Sequence, residues 1–260
     1  MSEPRITIEI DGAVATILVN RPDKLNAFDI DMLKDLSAAC DTVEANAAIR
    51  VTILTGAGKA FSAGGDIRAW GGMRPEEFGH AWVRFGHRVF ERLATLRMPL
   101  VAALNGHALG GGLETALSCD IRIASANAKF AAPEIKLGWI GGGGMAALLT
   151  NAVGSSHAAL MVMTGDPIDA ARALAWGLVS EVVEPDGLMA RARALAATIA
   201  SRAPIAAETA KANLYAAATM PLDQAMRYER DLQAICFATD DAREGRAAFA
   251  EKRVPVFNRR

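Results

Sequence analysis

Two carboxylates and three glycine-rich turns are the residues of this 260-residue chain best equipped for chemistry. Glu114 closes the stretch Gly106-His107-Ala108-Leu109-Gly110-Gly111-Gly112-Leu113-Glu114, and Glu134 follows in Ala131-Ala132-Pro133-Glu134-Ile135. A carboxyl group can take or give a proton, and a glycine turn presents backbone N–H groups with no side chain in the way. Where such a turn opens a helix, the first amides are unpaired and the positive end of the helix dipole stands behind them, so developing negative charge is favoured there. The combination suggests acid/base chemistry on a carbonyl compound. The same residues also describe a packing turn and a solvated helix face, and composition alone leaves both readings open.

The elements that must position these groups alternate. Leu100 to Leu104 is a short apolar run between Pro99 and Asn105-Gly106, as in a buried strand, with a helix expected over Leu113 to Cys119 and another strand over Asp120 to Ala124. Upstream, Arg5 to Ile10 alternates in polarity, Asp11-Gly12 is a hairpin turn and Val14 to Val19 returns. A helix carries Ile30, Leu33, Leu36, Cys40 and Val43 on one face with Asp29 as its N-cap, and Ile49 to Thr55 reads as a buried strand. The loop from Gly56 to Ile67 lacks the glycine spacing of a dinucleotide fingerprint, because Phe61 stands in it, and lacks a phosphate-loop pattern at Ile53 and Ala60. It retains a second glycine pair, Gly64-Gly65. Two such turns can each give one N–H to a single oxygen, although a flexible loop has the same spelling. From Pro75, a helix is expected to point Phe78, Trp82, Phe85, Val89, Leu93 and Leu96 into the core rather than toward a ligand. A third glycine turn, Gly141 to Gly144, leads into a helix near Met145. Glycine turns after successive strands favour an α/β class with a ligand site where they converge.

From Asp186 the chain changes to alanine-rich helices, expected over Leu188 to Ser201, Ile205 to Ala218, Leu222 to Phe237 and Ala242 to Lys252. This divides the chain into a core over residues 1–185 and a helical region over 186–260 that promotes assembly. A net charge of −1 with an isoelectric point near 6.4 offers no general attraction to nucleic acid or anionic membranes. Cys40, Cys119 and Cys236 lack metal-ligand spacing and read as reduced thiols of a cytoplasmic protein. Residues 137–165 carry no formal charge, but their glycines, Asn151 and His157 interrupt an apolar span, so no membrane helix is expected.

Taken together, Arg21 to Ala27, Phe61 to Ile67, Asn105 to Glu114, Ala132 to Gly138 and Phe237 to Arg253 resemble, in order and spacing, the enoyl-CoA hydratase/isomerase (crotonase) superfamily. The resemblance spans nearly the whole chain. It implies a spiral of ββα repeats with an α-helical C-terminal region, trimers or hexamers, and an acyl-CoA thioester substrate with no cofactor beyond the coenzyme A it carries. On the matching positions, the Gly65 and Gly111 amides would form an oxyanion hole. Glu114 would hold and help deprotonate water, Glu134 would protonate the α-carbon, and Gly142 would orient the water. Lys24, Ala27, Ala63, Gly64, Asp66 and Ile67 would bind the coenzyme A portion.

Retention of both acids implies an enoyl-CoA hydratase. An isomerase, another enolate-forming lyase and a noncatalytic acyl-CoA-binding subunit are the rivals, while a nucleotide-dependent oxidoreductase would need the absent fingerprint. The chain departs from the family pattern at Gly141, usually proline, at Met145, usually near a small hydroxyl residue, and at Trp139, which is bulkier than usual. Trp139 either reshapes the acyl pocket or fills core. His107 is expected in the pocket wall, Asp66 as a brace for its turn and Asp120 in a structural ion pair. Ser62 has no triad partners and no metal constellation is visible.

Overall fold

Three times in succession the chain lays down a long strand, takes a short step, lays down a shorter strand and then enters a helix or helical turn. In the computed structural model, which describes residues 4–260, these pairs are β3 (Val51–Gly56) and β4 (Ala60–Ser62), β5 (Leu100–Leu104) and β6 (His107–Leu109), and β7 (Ile121–Ser125) and β8 (Lys129–Ala131). They follow the hairpin of β1 (Ile6–Asp11) and β2 (Val14–Val19) and precede β9 (Ile168–Asp169) and β10 (Glu181–Val183). The long strands join a six-stranded sheet in the order β1-β2-β3-β5-β7-β10, parallel except for β1, and the short ones a four-stranded sheet, β4-β6-β8-β9. This is the expected spiral of ββα units.

Strands β3 and β5 are buried along their whole length, as parallel strands covered on both faces must be. Alternation divides their side chains. Leu54, Ala102 and Leu104 face a core that includes Leu33, Leu36 and Cys40 of the Ile30–Ala45 helix, whose first turn is capped by the Asp29 carboxylate accepting from the Met32 amide at 2.9 Å. Val51, Ile53, Val101 and Ala103 face Leu188, Ala192 and Ala196 of the Leu188–Ala200 helix. The Leu188–Ala200 helix covers the second face of this sheet, because a strand buried at every position needs partners on both sides.

Of the later helices, Pro204–Ala217, Leu222–Phe237 and Asp240–Glu251, the first is tied back to the core by charge. Lys211 Nζ lies 2.9 Å from the Asp120 carboxylate, the structural pair expected of Asp120, and donates to the Met98 carbonyl. Glu208 bridges Arg97 at 2.7 Å and Arg259 at 3.0 Å. Among the described residues, the Met145–Thr164 helix is the one element long and apolar enough to cross a membrane. Gly154, at φ 77° and ψ 163°, breaks it into two shorter helices.

The segment after Pro75 differs from a plain helix. Pro75–Glu77 and Arg84–Ala94 are α-helical, but Phe78–Val83 between them is a π-helical stretch. A π stretch adds a residue to a turn and changes which side chains share a face. Val89, Leu93 and Leu96 remain in the core as expected, while Phe78 and Trp82 turn toward the cavity described below.

Candidate active site

The Gly64-Gly65 turn after β4 and the Gly110-Gly111 turn after β6 meet because their strands are parallel neighbours. Their approach is close enough to require glycine. A Cβ on Gly64, which sits at φ +94°, would lie 2.7 Å from the Leu109 carbonyl oxygen and 3.0 Å from the Gly111 nitrogen. A Cβ on Gly111 would stand 3.5 Å from the Gly65 nitrogen. Gly111 begins the Gly111–Leu117 helix, so its amide is one of the unpaired first-turn donors. The Gly65 amide is likewise not spent on a backbone carbonyl, since its neighbours make the local bonds: Phe28 N to Gly64 O and Asp66 N to Phe28 O, both 2.7 Å. The two N–H groups expected to form an oxyanion hole are thus brought together, both lining one cavity.

Glu114 and Glu134 line the same cavity. Glu114 is 4 % exposed. Its Oε1 accepts from the Gly143 amide at 2.6 Å and the Met145 amide at 3.3 Å. Burial pushes its carboxyl up to about 7 despite the Gly143 hydrogen bond, and the nearby Glu134 charge pushes in the same direction. Burial also raises the Glu134 carboxyl, whose Oε2 is enclosed and has no hydrogen-bond partner. Space for that carboxylate is made by Gly110, where a Cβ would fall 2.7 Å from Glu134 Oε1. Two carboxyl groups with raised affinities for protons, one held by two amides and one with a free oxygen, can divide base and acid roles between them.

The Gly141–Gly144 turn is the third wall. A Cβ on Gly143 would sit 2.3 Å from the Phe90 ring and 2.7 Å from Glu114 Oε2, and one on Gly141 would sit 2.4 Å from Met145 Cβ. The departures at Gly141 and Met145 are therefore coupled: this turn, next to the side chain at 145, has no room for one at 141. Gly142 lines the cavity as expected, but it is the Gly143 amide that engages Glu114. Sequence reasoning missed that donor, and four consecutive glycines gave no signal to choose among them.

The remaining wall is aromatic. Trp70, Phe78, Trp82, Phe90 and Trp139 all line the cavity, which corrects the expectation that Phe78 is core, gives Trp82 a place on the cavity wall as well as against the core, and puts Trp139 in the pocket. His107 is not among the lining residues; it pairs with Ala60 in the short sheet and its Nδ1 has no partner. β6 turns Ala108, its neighbour, inward instead.

Of the residues expected to bind coenzyme A, Ala63 and Ile67 line the cavity, Gly64 packs against the Leu109–Gly111 turn, and Lys24 is exposed. Asp66 braces its turn: it accepts from the Arg68 amide and pairs with Arg21 at 3.0 Å, and Arg21 also donates to the Ala27 carbonyl. Two asparagines that sequence reasoning passed over hold the loops. Buried Asn26, at φ 58°, donates to the Ala57 and Ala60 carbonyls, and Asn105 donates to Gly58 and Ala60 while accepting from Gly56. Ser62 serves structure as well, donating to Asn26 O and accepting from Gly64 N.

Comparison with known proteins places the chain's sequence and fold among enoyl-CoA hydratases. The profile of the enoyl-CoA hydratase/isomerase family matches residues 9–260. The chain is similar to a short-chain-enoyl-CoA hydratase of Clostridium acetobutylicum, 41% identical over 249 residues and 95% of each chain. It is 38% identical over 254 residues to an (E)-benzylidenesuccinyl-CoA hydratase of Thauera aromatica, covering 97% of this chain and 98% of that one. A crystal structure of an enoyl-CoA hydratase from Bacillus anthracis superposes with a TM-score of 0.96 at 35% identity, covering 99% of this chain and all of the other.

Proposed function

The chain belongs to the enoyl-CoA hydratase/isomerase family, and from that membership we propose that it adds water across the 2,3 double bond of a 2-enoyl-CoA thioester. The observation that carries this reading is the convergence of Glu114, Glu134 and the unspent Gly65 and Gly111 amides on one cavity. Glu114 keeps Oε1 on the Gly143 and Met145 amides, leaving Oε2 to take a proton from water as the water oxygen bonds to C3. Electron density moves onto the thioester oxygen, where the Gly65 and Gly111 N–H groups stabilise it. Loss of one such donor typically costs about 3 to 4 kcal/mol. Protonated Glu134 then delivers its proton to C2, giving a 3-hydroxyacyl-CoA, and proton exchange resets the two acids. No group beyond the substrate's coenzyme A is needed.

The loops from Lys24 to Ala27 and Ala63 to Ile67 hold the coenzyme A portion in this reading. Residues 1–185 serve as the substrate-binding spiral and 186–260 as the assembly region, although the Leu188–Ala200 helix also covers the sheet. Exposed Leu214, Leu222, Met226 and Phe249 on the later helices support a homotrimer or homohexamer. The enclosed thiols Cys40 and Cys119, free of disulfides and pushed up to about 12 by burial, suit a cytoplasmic setting. The test is incubation with crotonyl-CoA in ¹⁸O-labelled water. Labelled 3-hydroxybutyryl-CoA from the parent, with loss in Glu114→Gln and Glu134→Gln, is expected. A shifted double bond without label would instead assign isomerase chemistry.

A further inference from the structure

The two relatives described above are named for different acyl groups, so the acyl group has to be read from this chain's own cavity. Resting on the hydration reading, we propose that the acyl end of the site selects a flat, uncharged aryl substituent, making a 3-aryl-2-enoyl-CoA the preferred substrate. Trp70 is the hub of the aromatic wall, with ring centroids 4.9 Å from Phe78, 5.9 Å from Trp82 and 5.2 Å from Trp139, the last edge-on at 71°.

The wall runs between the two halves of the chemistry. At one end Trp70 Nε1 and Trp82 Cζ2 each stand 3.1 Å from where a Cβ on Gly65 would be. At the other, Trp139 is tethered to the proton donor's own segment, its amide donating to the Glu134 carbonyl at 3.2 Å. A substituent on C3, leaving the reacting carbons between the oxyanion amides and the carboxylates, emerges against these rings. Tilted and edge-on aromatic pairs offer both ring faces and ring edges, the geometry in which a further aromatic ring is favoured.

Shape and charge narrow the class. Among the described residues, Glu114 and Glu134 are the only charged groups that line the cavity. An acyl group bearing its own carboxylate has no cation to meet there. A flat ring also loses fewer rotors on binding than an alkyl chain of similar area.

The test separates binding from turnover. Affinities of the unreactive saturated thioesters 3-phenylpropanoyl-, octanoyl- and butyryl-CoA are measured by calorimetry. We expect the phenylpropanoyl thioester to bind at least about tenfold more tightly than either alkyl one. Trp139→Ala should narrow that margin below about threefold, and Trp139→Phe, which keeps a ring, should retain most of it. No aryl margin in the parent, or a margin unchanged in Trp139→Ala, overturns the proposal. Turnover is read separately by hydration of crotonyl-CoA and, because hydration of an aryl enoyl thioester sacrifices conjugation, by dehydration of 3-hydroxy-3-phenylpropanoyl-CoA to cinnamoyl-CoA and water. An aryl margin without turnover of either keeps the subsite and rejects the hydration reading. Crotonyl-CoA hydration without an aryl margin does the reverse.

Discussion

Glu114 carries an energetic cost that the proposed base role explains. Its carboxyl titrates at about 7 in the folded chain against an ordinary value of 4.5, because burial outweighs the amides of Gly143 and Met145. As a base it must be ionised, so kcat/KM for hydration should rise with pH through about 7. Stability should run the opposite way. Below pH 4.5 both folded and unfolded chains hold the proton; between 4.5 and about 7 only the folded chain does, so stability falls as pH rises. Above that range the penalty is complete, about 3 kcal/mol. Glu114→Gln should therefore lose between about a hundredfold and ten-thousandfold in turnover. Its denaturation midpoint relative to the parent should nevertheless climb from pH 5 to pH 8. Parallel stability profiles for the two proteins would remove this account. At this scale the sequence pointed to the two acids and the two glycines that line one cavity, Gly65 and Gly111, but not to the Gly143 amide, because choosing among four glycines depends on where Phe90 and Glu114 press on the turn.

Elements bring the two amides together, and the parallel pairing of β4 with β6 is the part that matters most. A substitution that separates the turns without touching either donor tests it. Gly64→Ala places a methyl group 2.7 Å from Leu109 O at a backbone angle of φ +94°, forcing the Gly110-Gly111 turn away. Gly12→Ala is the control: its φ is +57°, but nothing lies within 4 Å. Each should lose roughly 1 to 2 kcal/mol to the left-handed backbone. Only Gly64→Ala should also lose about tenfold or more in kcat, short of the hundredfold or greater loss when a donor is removed outright. Equal kcat in both would mean that turn separation does not govern the oxyanion site. The elements themselves were largely legible, with the hairpin, the Asp29 cap and the Leu222–Phe237 helix at or near their expected bounds, since local turn and periodicity signals set them. The π stretch over Phe78–Val83 was not, because the apolar spacing there also fits a regular helix and only packing reveals the added residue.

Across the whole molecule, the spiral core and the helical C-terminal region are joined by contacts between residues distant in the chain, which a one-dimensional pattern cannot pair. Asp120 was readable as one half of an ion pair; Lys211, ninety-one positions later, was not readable as the other. The two sides of this pair are unequal. Lys211 is 8 % exposed and its ammonium has only Asp120 and the Met98 carbonyl, whereas the Asp120 carboxylate is more open and also accepts from the Leu100 amide at 2.7 Å. Removing one partner of a buried pair typically costs about 3 to 5 kcal/mol because a charge is left uncompensated, and replacing the pair by apolar groups of similar shape is often near neutral. Asp120→Asn strands the more deeply buried charge, so it should destabilise more than Lys211→Met, whose methionine fills the same channel without a charge and leaves Asp120 partly solvated. Chemical denaturation of the two variants and the double variant decides this. If the single losses are equal and simply add in the double variant, the pair is not coupled and the charge tie across the two regions rests instead on Glu208 with Arg97.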